Sequence, residues 1–295
     1  MSTEIRSVFQ NTVHEGESRL TRSWPALLAT GAVGGIDVST GVLALLLVQS
    51  ATHNEIASAL AFGIGFLALT LANSELFTEN FLVPIAAIVA KRARPLSLLR
   101  LWAGTLATNL IGGWIFLAIV IAAVPHVRAT AIAVGSVYVR EGVSPTSFAS
   151  ALLGGAIITL MTWMQHGTDA AFGKIAAAFA AAFLLAAGHL NHAIVASLEM
   201  FAALHAGATF GYLTWLRLLG WAALGNIIGG IAFVTVLRLV QVGAEAIRVE
   251  RAQPGPPENE ERERPSLGAT DRRERPGPDE NGQRERSGQP AGTEQ

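Results

Sequence analysis

Residues 98–116, L-L-R-L-W-A-G-T-L-A-T-N-L-I-G-G-W-I-F, and residues 215–233, W-L-R-L-L-G-W-A-A-L-G-N-I-I-G-G-I-A-F, align without a gap at an offset of 117. The match pairs Leu99, Arg100, Leu101, Asn109, Gly112, Gly113 and Phe116 with Leu216, Arg217, Leu218, Asn226, Gly229, Gly230 and Phe233. Each copy lies in an apolar run that meets the length of about 20 residues a helix needs to cross the hydrocarbon core. Three spans separate the copies, so the two halves must point in opposite directions. Inverted repeats with broken helices are a recurrent transport architecture, with the site near the midplane at the repeat interface.

Six apolar runs surround the repeat. They cover Trp24 to Val48, Ile56 to Ala90, Leu98 to Val124, Phe148 to Met164, Ala170 to Leu204 and Tyr212 to Val242. The second and fifth are too long and too polar in the middle to be plain helices. Thr130 to Val139 is apolar but too short to span, and reads as a partly buried connection. The chain therefore divides into a polar N-terminal segment (1–22), a six-span transport domain (23–246) and a charged tail (247–295). Repeat one covers 24–124 and repeat two 143–242. The fold class expected is an all-α membrane protein.

Composition agrees. Hydrophobic residues make up 51% of the chain and mean hydropathy is +0.42, while 30 glycines suit close helix packing in lipid. With no cysteine, a disulfide, a thiolate metal site or an iron–sulfur cluster is excluded. Residues Met1 to Arg22 lack an apolar h-region, so no cleaved signal peptide is expected. No nucleophile–base pair, metal cluster or phosphate loop stands out, so neither enzyme chemistry nor a cofactor, metal or nucleic-acid partner is expected. Lysines and arginines near the span ends favour one side: Arg6, Arg19, Arg22, Lys91, Arg92, Arg94, Lys174 and Arg248 against Arg128, Arg140 and Arg217. The bias places both termini in the cytoplasm of a cell (inner or plasma) membrane protein. From Glu250 onward the chain is rich in Pro, Gly, Glu and Arg, with R-E-R at 262, 273 and 284, and is expected to be disordered. Its interleaved glutamates cancel the attraction of the arginines to anionic lipid.

The interruptions carry the chemistry. Residues 188–200, G-H-L-N-H-A-I-V-A-S-L-E-M, put His189, His192 and Glu199 inside an apolar segment. An ionisable group in hydrocarbon costs roughly 2.5 kcal/mol or more and tends to face a bundle interior or a pore. Subtracting 117 from His192 lands on Glu75, within L-A-N-S-E-L-F-T-E-N-F-L-V-P at 71–84, so both interruptions occupy equivalent places. Irregular backbone at this depth is tolerated only where protein buries it or a wet cavity meets it. Pro84 opens the second half-helix, where a missing donor costs little. Half-helix N-termini pointing inward would offer free amides to an anion. Glu75 reads as holding the loop by accepting backbone hydrogen bonds. Thr78 and Asn80 are of the type that satisfies a loop's own backbone.

From about Trp24 to Val242 the chain resembles the formate/nitrite transporters. E-L-F-T-E-N at 75–80 is similar to that family's Glu-Leu-Phe-Thr loop, and G-N-I-I-G-G at 225–230 to its last span. G-H-L-N-H resembles the family's Gly-Phe-Glu-His break, with one residue added. The resemblance implies an aquaporin-like fold, a homopentamer with one pore per protomer, and passage of small monovalent anions or their acids. It makes His192 the central pore histidine and Thr78 the loop threonine facing it. Phe62, Phe66 and Leu185 fall where apolar constriction residues would lie, and Asn191 stands in the pathway where the family has Glu. Two further departures are Ala196 and Gly155 in place of asparagines. The vestibule lysine has no clear counterpart, Arg140 being the nearest basic residue. Asp37 and Glu199 are unusual for the family and have no role assigned by sequence.

The mechanism implied is passive, proton-linked passage. A bare anion loses most of its hydration in an apolar constriction, whereas its neutral acid does not. Imidazole titrates near neutrality and can exchange a proton with a weak acid held close by. Two other readings compete: an aquaporin-type pore for a neutral solute, against which stands the lack of an Asn-Pro-Ala box, and a membrane scaffold or sensor without flux.

Overall fold

A computed structural model describes residues 3–252, and every regular element among them is helical. Five helices are long and apolar enough to cross a membrane: α2 (Trp24–Thr52), α3 (Glu55–Ala72), α5 (Pro95–Ala123), α7 (Pro145–His166) and the stretch Tyr212–Val242. Helices α2, α5 and α7 each carry a proline in the first turn, where no intrahelical donor is lost. Asn54 caps α3 by accepting the amide of Ala57, and α3 stops at Asn73 in the left-handed conformation, φ 53°.

The interrupted runs are broken as their polarity requires. After α3 come a loop, a 3₁₀ turn (Phe77–Phe81) and the short α4 (Val83–Val89). The later pair is α8 (Ala171–Ala187) and α9 (Ala193–Ala206), each below spanning length. The stretch 212–242 is α10 (Tyr212–Ile228), a π segment (Gly229–Val236) and α11 (Leu237–Val242). The Gly-Gly pairs are backbone contact points: a methyl on Gly112 would strike the carbonyl of Ala32, and one on Gly229 that of Leu152. The segment read as a connection is a helix, α6 (Arg128–Glu141), which lays Gly135 against α9 at Glu199 and Ala203.

Both ends of the described residues are packed helices. The polar start is a docked helix, α1 (Thr3–Thr21), which buries Phe9, Val13 and Leu20. With α12 (Ala244–Ala252) it closes an apolar cluster over α4 that includes Leu82, Ala86, Trp163, Val242 and Ala246. The tail boundary at 247 therefore falls inside a packed element. Glu250 is buried and accepts Arg92 Nη2 at 3.2 Å, and Arg251 Nε donates to the carbonyl of Val89 at 2.8 Å. The composition of α12 does not reveal this, because four of its nine residues are charged and the contacts that bury Ala246 and Glu250 come from segments distant in the chain. The rest of the disordered-tail expectation, residues 253–295 with all three R-E-R strings, lies outside the described residues.

Ending the chain after Ala252 should leave thermal stability at the wild-type level. Ending it after Gly243 strands Arg92 at a buried site and should cost about 3 kcal/mol. Thermal unfolding of the two truncations in detergent decides it, and equal melting of both would remove α12 from the packed core.

Candidate functional site

The first break is held by side chains that replace helical hydrogen bonds. Asn109, fully buried on α5, accepts the amide of Phe77 through Oδ1 at 2.9 Å and donates Nδ2 to the carbonyls of Glu75 (2.8 Å) and Gly31 (2.7 Å). The amide of Leu76 donates to Glu79 Oε2 at 3.1 Å. Asn80 donates Nδ2 to the carbonyl of Leu76, while its own carbonyl accepts Trp102 Nε1 at 3.0 Å. Ser74 Oγ donates to Asp37 Oδ2 at 2.6 Å, which ties the loop to α2.

The second break repeats the device. Asn226 on α10 accepts the amide of Ala193 at 2.8 Å and donates to the carbonyls of Asn191 (2.9 Å) and Ala151 (2.7 Å). Asn109 and Asn226 thus hold Glu75 with Phe77 and Asn191 with Ala193. The spacing from the held amide to the asparagine is 32 residues in one case and 33 in the other. The structural partner of Glu75 is therefore Asn191, and that of His192 is Leu76. A uniform offset of 117 misplaces this pair by one residue, because the chain between break and asparagine differs in length between the halves. Asn109 and Asn226 were visible in the repeated string, but nothing in the string said what they bond.

His192 caps α9. Its Nδ1 accepts the amide of Val195 at 3.3 Å, which places the ring proton on Nε2. Nε2 then donates to Thr78 Oγ1 at 2.7 Å, and both side chains are fully buried. One hydrogen bond thus joins the two breaks. The amides expected to cradle an anion are largely taken: Val195 by His192, Ala193 by Asn226, Phe77 by Asn109 and Leu76 by Glu79.

Two open cavities contain residues adjoining this pair. The first, of about 340 Å³, is lined by Leu69, Ser74 and Glu79 of the first break, by Glu15 and Arg19 of α1, and by Lys174. The second, of about 400 Å³, is lined by Leu185, Leu190, Val195 and Glu199 around the second break, and by Tyr138 of α6. Neither cavity includes His192 or Thr78. Phe62 and Phe66 are fully buried with ring centroids 5.8 Å apart, in the same apolar cluster as Leu69, Phe77 and Leu185. Of the three residues read as a constriction, Leu185 alone also lines one of these two cavities. Asn191 gives its backbone to Asn226 and Ser150 and lines a small void beside Ser197 and Met200, apart from both large cavities. Arg140 is exposed at the end of α6 and lines neither. At Gly155 a side chain would collide with the carbonyl of Asn226, so the asparagine that the resemblance led us to expect has no room there.

Charge gathers at the first break. Arg19 is buried, with Nε 2.9 Å from Glu15 Oε1 and 3.4 Å from Glu75 Oε1, and Nη1 3.2 Å from Asn80 Oδ1 and 3.7 Å from Glu79 Oε2. Arg22 also bonds Glu75 Oε1. Burial works to lower the Arg19 pKa, but the carboxylates of Glu75, Glu79 and Glu15 outweigh it and hold the guanidinium proton above its ordinary value. Burial raises the Glu15 carboxyl, and Arg19 more than reverses this, bringing it below the usual range. Glu75 was expected to accept backbone amides. It pairs with arginine side chains, and Glu79 is the carboxylate that accepts an amide. Asn80, expected to steady the loop, bonds Leu76, Trp102 and Arg19. The sequence offered no cue that α1 would reach into the span.

A family model described as formate/nitrite transporter matches residues 6–240. The inner membrane protein YfdC of Escherichia coli (strain K12) is 25% identical over 267 residues, covering 86% of this chain and 84% of that protein. The formate channel BtFdhC of Bacillus thuringiensis is 25% identical over 235 residues, covering 75% and 89%. Among solved structures, an FNT family ion channel matches with a TM-score of 0.67 at 17% identity, over 80% of this chain and 97% of its own. A pentameric formate channel with formate bound matches at 0.62 and 19%, over 72% and 95%. At such identities the structural likeness speaks to the fold.

Proposed function

The chain belongs to the formate/nitrite transporter family, and from that premise we propose that it passes a small monovalent weak acid of the formate class, with His192 and Thr78 at the centre of the pore. It is a membrane transport protein and not an enzyme. Counting the two broken helices as one span each, its helices make six spans in two inverted, aquaporin-like repeats. The matching bonds of Asn109 and Asn226 support that reading. The likeness to a pentameric formate channel supports a homopentamer. The lysine and arginine bias supports cytoplasmic termini in the inner or plasma membrane.

The observation that carries the proposal is the buried hydrogen bond from His192 Nε2 to Thr78 Oγ1. Among the described residues it is the hydrogen bond that joins a side chain of one break to a side chain of the other, and it puts a titratable ring where cavity gives way to apolar core. An anion reaching this point loses hydration and takes a proton at the histidine station, then crosses as the neutral acid. Phe62, Phe66 and Leu185 form the dry constriction, Asn191 stands in the pathway beside it, Glu75 anchors the first break to Arg19 and Arg22, and Asn80 ties that break to Leu76, Trp102 and Arg19. A neutral-solute pore is the second reading. It is favoured by the second cavity, whose lining includes two glutamates and no lysine or arginine.

Formate uptake and internal pH, measured in the same liposomes, test the proposal. His192→Asn keeps a polar cap but cannot titrate near neutrality, so formate flux at acidic pH should fall by about tenfold or more. Thr78→Val removes a hydrogen-bonding group but no proton, and should lower flux about fivefold while keeping the acid response. An unchanged pH profile in His192→Asn would sink the relay. Glycerol flux indifferent to pH in both proteins would favour the neutral-solute pore.

A further inference from the structure

Glu199 is a buried acid that the mechanism above leaves unused. It sits on α9 seven residues beyond His192, which puts it on the same helix face about 10 Å further along the axis. It is 7% exposed. Its Oε2 accepts the hydroxyl of Tyr138, on α6, at 2.6 Å. Its Oε1 has no hydrogen-bond partner among the described residues, and Glu199 lines the second cavity together with Val195 and Leu185. The carboxylate thus has one oxygen fixed and one left for whatever occupies that cavity.

The other charged groups around this cavity do little to offset it. Glu55 and His189 approach to 3.8 Å, but their side chains are 73% and 58% exposed, so water screens them. His53 stands at the mouth, on the C-terminal cap of α2. Among the described residues, no charged residue from α5 or α10, which also pack on α9, lines the cavity, and every α6 residue that lines it, Tyr138 included, is apolar or neutral. The charges of α6 itself, Arg128, Arg140 and Glu141, are exposed. A buried carboxylate without a cation beside it projects its field into the adjoining space with little screening.

We propose that Glu199, steadied by Tyr138, is a specificity-determining residue that makes the second cavity admit the uncharged conjugate acid and turn back the bare anion. This rests on the weak-acid reading given above. When ionised, Glu199 repels a formate ion that reaches Val195 and leaves formic acid unopposed. When protonated, it stops repelling and presents a hydroxyl that can hydrogen-bond the substrate. The acid response of the pore then has two parts, His192 setting its acidic end and Glu199 suppressing flux at its neutral end.

Radiolabelled formate uptake by liposomes containing the full chain, with pH varied equally on both sides, separates the two. Glu199→Gln keeps an acceptor for Tyr138 but carries no charge, and its flux at neutral pH should rise about tenfold, flattening the profile. Tyr138→Phe leaves the carboxylate but removes a donor that favours its charged form, so the profile should move toward higher pH. A purely packing role for the pair would lower flux at every pH and move neither profile. Superimposable profiles for wild type and Glu199→Gln overturn the inference while leaving His192 in place. Should Glu199→Gln fail to assemble, the Tyr138→Phe profile decides in the same way. Methylammonium carried by the wild type and lost in Glu199→Gln would make the cavity a cation site and also overturn it. A wild type that moves no formate at any pH overturns both this inference and the weak-acid reading beneath it.

Discussion

Arg19→Met is expected to unseat the 75–80 loop and to lower stability by about 3–5 kcal/mol, the usual penalty for removing one partner of a buried ion pair. The guanidinium donates to Asn80 Oδ1 and is the cation paired with Glu75 and Glu79, all three nearly or fully buried. Methionine fills similar space but leaves Glu79 without a positive neighbour and Asn80 Oδ1 without its donor. Arg22 still reaches Glu75, so the loss falls mainly on Glu79 and Asn80. Arg19→Lys restores the charge but not the planar fork, and should recover only part of the loss. Glu15→Gln is the control: its side chain is 40% exposed, and the change should cost less than about 1 kcal/mol. Thermal unfolding in detergent measures all three. An Arg19→Met protein that melts with wild type would mean that α1 merely rests against the span.

The second large effect is expected at Asn226. Leucine matches its volume but leaves the buried amide of Ala193 and carbonyl of Asn191 without partners and removes the added bond to the helical carbonyl of Ala151. Each stranded group costs about 1–3 kcal/mol, so Asn226→Leu should lose several kcal/mol and fail to yield a monodisperse assembly on size exclusion. Asn109→Leu strands an equal number of groups at the first break but should be milder. There the loop is also held by Arg19, by Trp102 on the carbonyl of Asn80 and by the contact of Ser74 with Asp37. If Asn226→Leu elutes and melts like wild type, water or backbone adjustment must be replacing the asparagine.

Much of this was legible in the chain because the signals are local. A run of about 20 apolar residues is a span whatever surrounds it, and polar residues inside such a run mark a break because hydrocarbon cannot satisfy irregular backbone. So the spans, both interruptions, His192 and the repeated Asn-x-x-Gly-Gly are legible in the chain itself. The offset of the repeated string does not reach the breaks, because the chain between break and asparagine is one residue longer in the second half.

Contacts between elements distant in the chain were not legible, and they decided the rest. That the Arg19 guanidinium would meet Glu75, Glu79 and Asn80 depends on α1 folding back against α4, and no periodicity in residues 1–22 encodes that direction. Glu199 and Tyr138 are 61 residues apart, and neither acquires a role until α6 packs on α9. Glu250 looked like the start of a solvated tail until Arg92 stood opposite it. By itself the sequence determined the membrane class, the places where helices break and the histidine at one of them, since each follows from the cost of polar groups in lipid at that position. Which buried charges found partners, and so which groups the cavities present to a substrate, was settled only by tertiary packing, because a charge is stabilised or left bare by neighbours that its own segment does not specify.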